Sequence, residues 1–452
     1  MKQWLAWTGL WLAFLGIWKW AETKGPSAPW LEDPAHEEHQ VEVATSSKAD
    51  ADSGVAMVDF PRPNIPHRPN STLPDSLQIP EAWRFEHEDD AAVALEAFFL
   101  ALELAHDQRV DVFHWGDSQI EGDRISSDLR MIWQSEWGGQ GPGWIMPNSP
   151  TASAALRTRH DQSWLRTTGF GRNRMADARR LPFFALNTWV GDSPWVHSPK
   201  TKAQAPNSGW TQTTIWALDT SRWIRSTATP EESDVAAIHR LNFATKWMHA
   251  PVIGKTTIHG FQGAIHGIEL SSPTGVYVHN LAMRGGFGVL FDNTPAEDWQ
   301  WLRSEQRPAL VLLQFGGNAA PGLTSSKQLD KYSAEIGKNI RHVQAQWPDV
   351  PIVFVGPSDM GEHPKTYPLL GALVDSLRAE SMRTGALFWD LRKAMGGAGS
   401  MPSWVEQRLA AKDHVHFSPS GAHEIGRRLA EAFSYEHNRW KLLNHQDNPP
   451  LP

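Results

Sequence analysis

A chain of 452 residues, 40% of them hydrophobic, can bury the core of a large or two-part globular protein. A formal net charge of −8 and the lack of any long basic run leave nothing to neutralise a phosphate backbone, so nucleic acid is not expected as a partner. The absence of cysteine excludes disulfides, thiolate metal sites and cysteine nucleophiles. The 24 tryptophans supply faces that fill cores and can stack on sugars.

In chain order, Lys2 precedes an apolar run from Trp4 to Trp18, which reads as an export signal over residues 1–20. With its flanks the run has about 18 residues, the lower edge of a spanning helix, and Trp4, Trp7, Trp18 and Trp20 suit the membrane interface. No small-x-small cleavage site follows, so an uncleaved anchor is expected, with the rest exported to the cell envelope. Residues 21–78 are rich in Pro, Ser, Glu, Asp and His and read as a disordered tether. His36-Glu37-Glu38-His39 lacks the two-residue gap that would put the histidines one helical turn apart, and is taken as solvated linker.

Order is expected from residue 79. Ala91 to Ala105 predicts a helix, and Val110 to Trp115 a short buried strand. That strand runs into Gly116-Asp117-Ser118 and a second helix bearing Ile120, Ile125, Leu129 and Ile132. Residues 79–150 are therefore the first part of an α/β domain. Over 151–275 the texture changes to short Thr, Val, Trp and Ile runs such as Thr211 to Leu218, which predicts an inserted β-rich domain of sandwich or jelly-roll type.

The α/β alternation resumes over 276–438. Strands are predicted at Val276–His279, Ala309–Phe315, Pro351–Val355 and Leu387–Leu391. Helices are predicted from Thr294-Pro295-Ala296-Glu297, with a capping box, over Ser325–Trp347, through Leu369, Leu373 and Leu377, and from Pro419 to about Phe433. Residues 439–452 are left as a tail. The whole implies a parallel sheet between layers of helices.

Reactive groups in such a sheet gather at the carboxyl ends of its strands. Ser118 follows the first strand, where its N–H can face an oxyanion. A second copy, Gly191-Asp192-Ser193, has no amphipathic helix after it and reads as a turn. Gly316-Gly317-Asn318 ends another strand, and its amide is the donor type an oxyanion hole uses, although an ordinary turn would look the same. Gly285-Gly286 carries the same ambiguity. Asp413 and His416 lie three residues apart before the last helix, so the carboxylate can accept from the imidazole and leave Nε2 to take a serine proton. Two histidines and an aspartate could instead bind a metal, but no further ligand-rich segment lies nearby.

The order Gly116-Asp117-Ser118, Gly285, Gly316-Gly317-Asn318, Asp413-His414-Val415-His416 resembles the SGNH or GDSL hydrolase family over roughly 81–150 and 275–436. The resemblance implies a flavodoxin-like three-layer fold. It also implies Ser118 as nucleophile, His416 as base, Asp413 as its orienting partner, and an oxyanion hole from the Ser118 N–H, the Gly285 N–H and the Asn318 side chain. No cofactor and no metal is implied. Two positions depart from the pattern: Gln119 stands where the family's name has Leu, and Ala319 where many members have an acidic residue.

The segments Phe113 to Arg124 and Ala394-Met395-Gly396-Gly397 resemble an envelope subgroup, which includes peptidoglycan O-acetylesterases and the acetyltransferase partners of membrane-bound O-acyltransferases. An esterase acting on an acylated carbohydrate is therefore expected. The alternatives are transfer of acetyl to a polysaccharide with a membrane acyl-donor partner, or a noncatalytic carbohydrate-binding protein that uses Trp164, Trp189, Trp195, Trp210, Trp216, Trp223 and Trp247. Arg124, Arg284 and Arg303 are the candidate cations for an anionic substrate.

Overall fold

The computed structural model describes residues 77–447, apart from parts of 160–260 and residues 364 and 365. The expected anchor, nearly all of the tether expected over residues 21–78 and Gly191-Asp192-Ser193 lie outside the described residues. Among the described residues no helix is long and apolar enough to cross a membrane.

The strands in chain order are β1 (Arg109–Gly116), β2 (Gly143–Ile145), β3 (Leu156–Arg159), β4 (Trp164–Thr168), β5 (Ala185–Trp189), β6 (Trp195–Pro199), β7 (Gln212–Leu218) and β8 (Arg222–Trp223). They continue with β9 (Val235–Arg240), β10 (Ala244–His249), β11 (Thr256–Ile258), β12 (Phe261–Ser271), β13 (Gly275–Ala282), β14 (Leu310–Gln314), β15 (Ile352–Val355) and β16 (Leu387–Trp389). The helices are α1 (Ala91–Ala94), α2 (Glu96–Glu103), α3 (Ser126–Trp137), α4 (Ala296–Glu305), α5 (Ser326–Gln346), α6 (Leu370–Arg383), α7 (Leu391–Met395), α8 (Met401–Glu406) and α9 (Pro419–Asp447).

One sheet has the order β13-β1-β14-β15-β16, and each neighbouring pair is parallel. Counting only these five strands along the chain, the order is 2-1-3-4-5, that of a flavodoxin-like sheet. Its strands read as near-continuous apolar runs because both faces are covered. On one face Val110, Val112, Val276, Val278, Leu310, Leu312, Val353 and Val355 pack with α2, α3 and α9. There Phe98, Trp133 and Phe433 meet with ring centroids 5.2–5.8 Å apart. On the other face Phe113 and Trp115 meet Trp347, Phe291 and Trp299 edge-on.

The strands between residues 143 and 271 form two antiparallel sheets, one along β4-β5-β12-β7-β10-β9 with β2 and β8 on β12, and one ordered β11-β6-β3. Antiparallel pairing thus begins at β2, upstream of the boundary expected at residue 151. Trp210 and Trp216 are buried, as core residues would be. Trp216 stacks on Trp144 at 5.7 Å, and both meet Trp301 of α4 edge-on.

A buried ion network ties this region to the parallel sheet. Arg109 Nε donates to both oxygens of Asp111 at 2.9 Å, and the same guanidinium pairs with Glu269 of β12. Trp144 N–H donates to His279 Nδ1 at 2.9 Å, so the ring proton sits on Nε2 and points at Asp111 Oδ1, 2.8 Å away. Asp111, Glu269 and His279 are close enough to resemble a metal-ligand set, but Arg109 already occupies the space between the two carboxylates. Burial favours neutral Asp111, yet Arg109 and His279 outweigh it and hold the carboxyl well below its usual range.

Several boundaries differ from expectation, each for a local reason. α3 begins at Ser126, eight residues after Ser118, because Gly122, Asp123 and Ile125 adopt φ of 73°, 66° and 62°, which no right-handed helix accommodates. The Thr294 capping box does not form: Pro295 is the N-cap of α4, and the Thr294 hydroxyl donates back to the Leu290 carbonyl at 3.1 Å. The last strand stops at Trp389, since Asp390 caps a short helix at Lys393 N–H, 2.8 Å away. α9 continues to Asp447, where Trp440 is buried and packs against Phe99. At the entry to β13, Gly275 lies against Gly139; an added Cβ would sit 2.1 Å from that residue's backbone.

Candidate active site

The site forms where β1 and β14 end side by side, the point at which strand order reverses and ligand crevices open in such sheets. Gly116-Asp117-Ser118 leaves β1, the Met283 to Gly286 turn leaves β13, and Gly316-Gly317-Asn318 leaves β14. The Asp117 N–H donates to the Gln314 carbonyl at 3.3 Å and the Met283 N–H to the Gly116 carbonyl at 2.7 Å, which ties the three turns together.

Ser118 Oγ lies 2.9 Å from His416 Nε2. His416 Nδ1 lies 2.8 Å from Asp413 Oδ2, while the other oxygen, Oδ1, accepts from the Val415 and His416 N–H groups at 2.9 and 3.0 Å. The loop can close so tightly because His414 takes φ of 54°. Burial raises the Asp413 pKa, but the His416 ring and the two N–H groups win and bring it down to about 2. An ionised Asp413 fixes the His416 proton on Nδ1 and leaves Nε2 to accept from the serine.

The two glycines left ambiguous by sequence differ here. The Gly286 N–H is committed to the Met283 carbonyl at 2.7 Å. Among the described residues, the Gly285 N–H and the Ser118 N–H donate to nothing. Gly285 has φ of 77°, and an added Cβ would meet nothing within 4 Å, so its Cα borders open space. Asn318 is placed between the turns, and its Nδ2 donates to the Gly286 carbonyl at 3.0 Å and to Asp117 Oδ2 at 3.2 Å. In this arrangement both amide hydrogens brace the turns. Burial pushes the Asp117 carboxyl up to about 6, against the Gln119 N–H, His416 and Arg124.

Gln119 and Arg124, neither of them assigned to this role from the sequence, join the Ser118 turn to the His416 loop. Gln119, the departure from the family pattern, donates to the Val415 carbonyl at 2.6 Å and to Ser358 Oγ at 3.3 Å, and accepts from the Phe417 N–H at 3.4 Å. It therefore grips the backbone on both sides of His416. Arg124 donates to the carbonyls of Ser118, Glu121 and Phe417, so its guanidinium is spent on the scaffold. Arg303 lies apart, donating to Gln346 at 2.7 Å. Nothing local in the sequence could reveal the Gln119 bonds, because their partners lie 239 to 298 positions away.

No protein-family model matches the chain, and no curated protein matches it. Among solved structures it is similar to a peptidoglycan O-acetylesterase, at 18% identity and a TM-score of 0.59, over 76% of this chain and 96% of that one. Smaller overlaps occur with a GDSL-like lipase from Parabacteroides merdae, at 16% identity and a TM-score of 0.29, over 35% of this chain and 74% of that one. An acetylxylan esterase from Geobacillus stearothermophilus overlaps at 20% identity and a TM-score of 0.25, over 36% of this chain and 73% of that one. The chain thus shares the fold of that peptidoglycan O-acetylesterase, here built on a five-stranded parallel sheet with helices on its faces.

Proposed function

We propose that the protein is a serine esterase that removes acyl groups, chiefly acetyl, from a carbohydrate of the cell envelope or extracellular space. The observation that carries this reading is the relay from Ser118 Oγ to His416 Nε2 at 2.9 Å and from His416 Nδ1 to Asp413 at 2.8 Å, beside two N–H groups without partners among the described residues. Ser118 attacks the ester carbonyl as His416 takes its proton, and the Ser118 and Gly285 N–H groups receive the oxyanion. Asn318 adds a third donor by turning one amide hydrogen away from the Gly286 carbonyl. His416 then protonates the leaving sugar oxygen, and water, deprotonated by the same ring, releases acetate from the acyl-serine. The carbohydrate substrate follows the peptidoglycan O-acetylesterase whose fold the chain shares.

Acetate release from O-acetylated glycans by protein lacking residues 1–78 tests the proposal. Ser118→Ala is expected to lower turnover at least about a thousandfold with its melting temperature unchanged. Equal rates for the two proteins would refute it. Adding unacetylated glycan with a donor ester separates hydrolysis from transfer, and acetate as the sole product identifies an esterase.

A further inference from the structure

Resting on the esterase reading, we propose that the substrate saccharide carries a carboxylate, and that Arg166 receives it in a cavity beside the Ser118 turn. The cavity holds about 340 Å³. One wall comes from the nucleophile side, with Glu121, Asn280 and Ala282; the other comes from the antiparallel region, with Met146, Arg157 and Arg166. The first wall is continuous with the Ser118 turn. The Glu121 N–H donates to the Ser118 carbonyl at 3.3 Å, Asn280 Nδ2 donates to the Ile120 carbonyl at 2.8 Å, and Ala282 is the register partner of Gly116. A saccharide whose ester sits at Ser118 can therefore place a neighbouring ring or substituent in this space.

The charges around the cavity are not balanced. Asp123 is matched by the buried Arg130. Glu121 has Arg284 at 3.6 Å, which leaves Arg166 and the exposed Arg157 with no carboxylate of their own. Among the described residues Arg166 makes no ion pair, and the one hydrogen bond of its guanidinium goes to the weak acceptor Met146 Sδ at 3.7 Å. A planar fork with several donors, half-buried on the wall of a cavity and hydrogen-bonded only to a thioether, is built for a bidentate carboxylate. Burial and Arg284 both disfavour the added positive charge, and Glu121 only partly offsets them, so an arriving anion relieves a cost already present. The carboxylate can come from a uronic acid ring or from a lactyl ether on an amino sugar, and the guanidinium would receive either in the same way.

The test compares an O-acetylated galacturonate oligosaccharide, and an O-acetylated amino sugar bearing a lactyl carboxylate, each with its own methyl ester. The free acid of at least one pair is expected to show kcat/KM about tenfold or more above its ester, the size of one charged hydrogen-bonded pair. Which pair responds identifies the source of the carboxylate. Arg166→Gln, with an unchanged melting temperature, is expected to bring that ratio close to one. Calorimetric binding of the unacetylated acids and their methyl esters to the wild-type protein reads the subsite without any ester chemistry. A wild-type enzyme that hydrolyses p-nitrophenyl acetate yet treats acids and methyl esters alike overturns the subsite and leaves the esterase standing. Tighter binding of the acids, without hydrolysis of any ester, supports the subsite and sinks the esterase instead. Retention of the preference in Arg166→Gln would also overturn the assignment.

Discussion

Replacing Gln119 with leucine, the residue of the family pattern, isolates what holds the His416 loop against the nucleophile turn. The substitution deletes two donated bonds and one accepted bond, to Val415, Ser358 and Phe417. The Ser358 hydroxyl can rotate to another partner, but the Val415 carbonyl and the Phe417 N–H are left behind. A buried polar group without a partner costs about 1–3 kcal/mol, so with two such groups the loop loses roughly 2–6 kcal/mol unless it moves to find water. Movement carries His416 away from Ser118 Oγ. At about 1.4 kcal/mol per factor of ten, a 2 kcal/mol preference for the displaced loop lowers kcat about thirtyfold, while KM changes little because the substrate cavity is untouched. Steady-state kinetics on p-nitrophenyl acetate, alongside urea unfolding, reads both quantities. Gln119→Met, unbranched like glutamine, separates the lost bonds from changed shape and is expected to behave as leucine does. A kcat within about twofold of wild type in either variant would show that Gln119 does not position His416 and would refute the reasoning.

Asp413→Asn keeps the shape of the loop but presents an amide to the His416 ring and favours the wrong tautomer, so kcat is expected to fall by about 10³–10⁴ with the fold retained; a loss below tenfold would mean that His416 is oriented by something else. Because Asp413 has its pKa lowered to about 2 from 3.8, its share of stability is fully present above pH 3.8 and is lost as pH falls through about 2, a loss that Asp413→Asn should not show in acid unfolding curves. Asp117 has the opposite sign. Its pKa is raised from 3.8 to about 6, so the folded state binds the extra proton and stability declines as pH rises across that window, by roughly 3 kcal/mol at most. The stability difference between wild type and Asp117→Asn should therefore change between pH 4 and 7, and a constant difference would count against the buried carboxyl as its source. Trp133→Ala removes the indole between Phe98 and Phe433 and is expected to destabilise by about 3–5 kcal/mol in urea titration; a cost under 1 kcal/mol would mean that the aromatic cluster is not the joint between α2, α3 and α9.

The elements that the sequence made legible are those decided by neighbours in the chain. Buried strands announce themselves as apolar runs, so β1, β14 and β15 fall within a residue or two of expectation. Ser325, with its hydroxyl accepting from Gln328 N–H at 3.4 Å, starts α5 where a capping serine should. The Asp413 to His416 relay closes within one loop, and a spacing of three residues already contains its geometry. Elements misjudged from sequence turn on backbone conformations that composition does not dictate. Asp123 and Ile125 at positive φ delay α3, and nothing in those residue types demands it.

What only the tertiary structure decided are relations between distant turns. The hydrogen bond of Ser118 to His416 joins positions 298 apart, and which of Gly285 and Gly286 keeps its N–H uncommitted depends on the one that the Met283 carbonyl has taken. Gln119 looked like a lapse from a family pattern until its three partners appeared, and Arg166 was one arginine among many until a cavity opened in front of it. The physical reason is the same throughout: sequence periodicity encodes which face of an element is buried, whereas the partner of a polar group depends on where strands from opposite ends of the chain come to lie together.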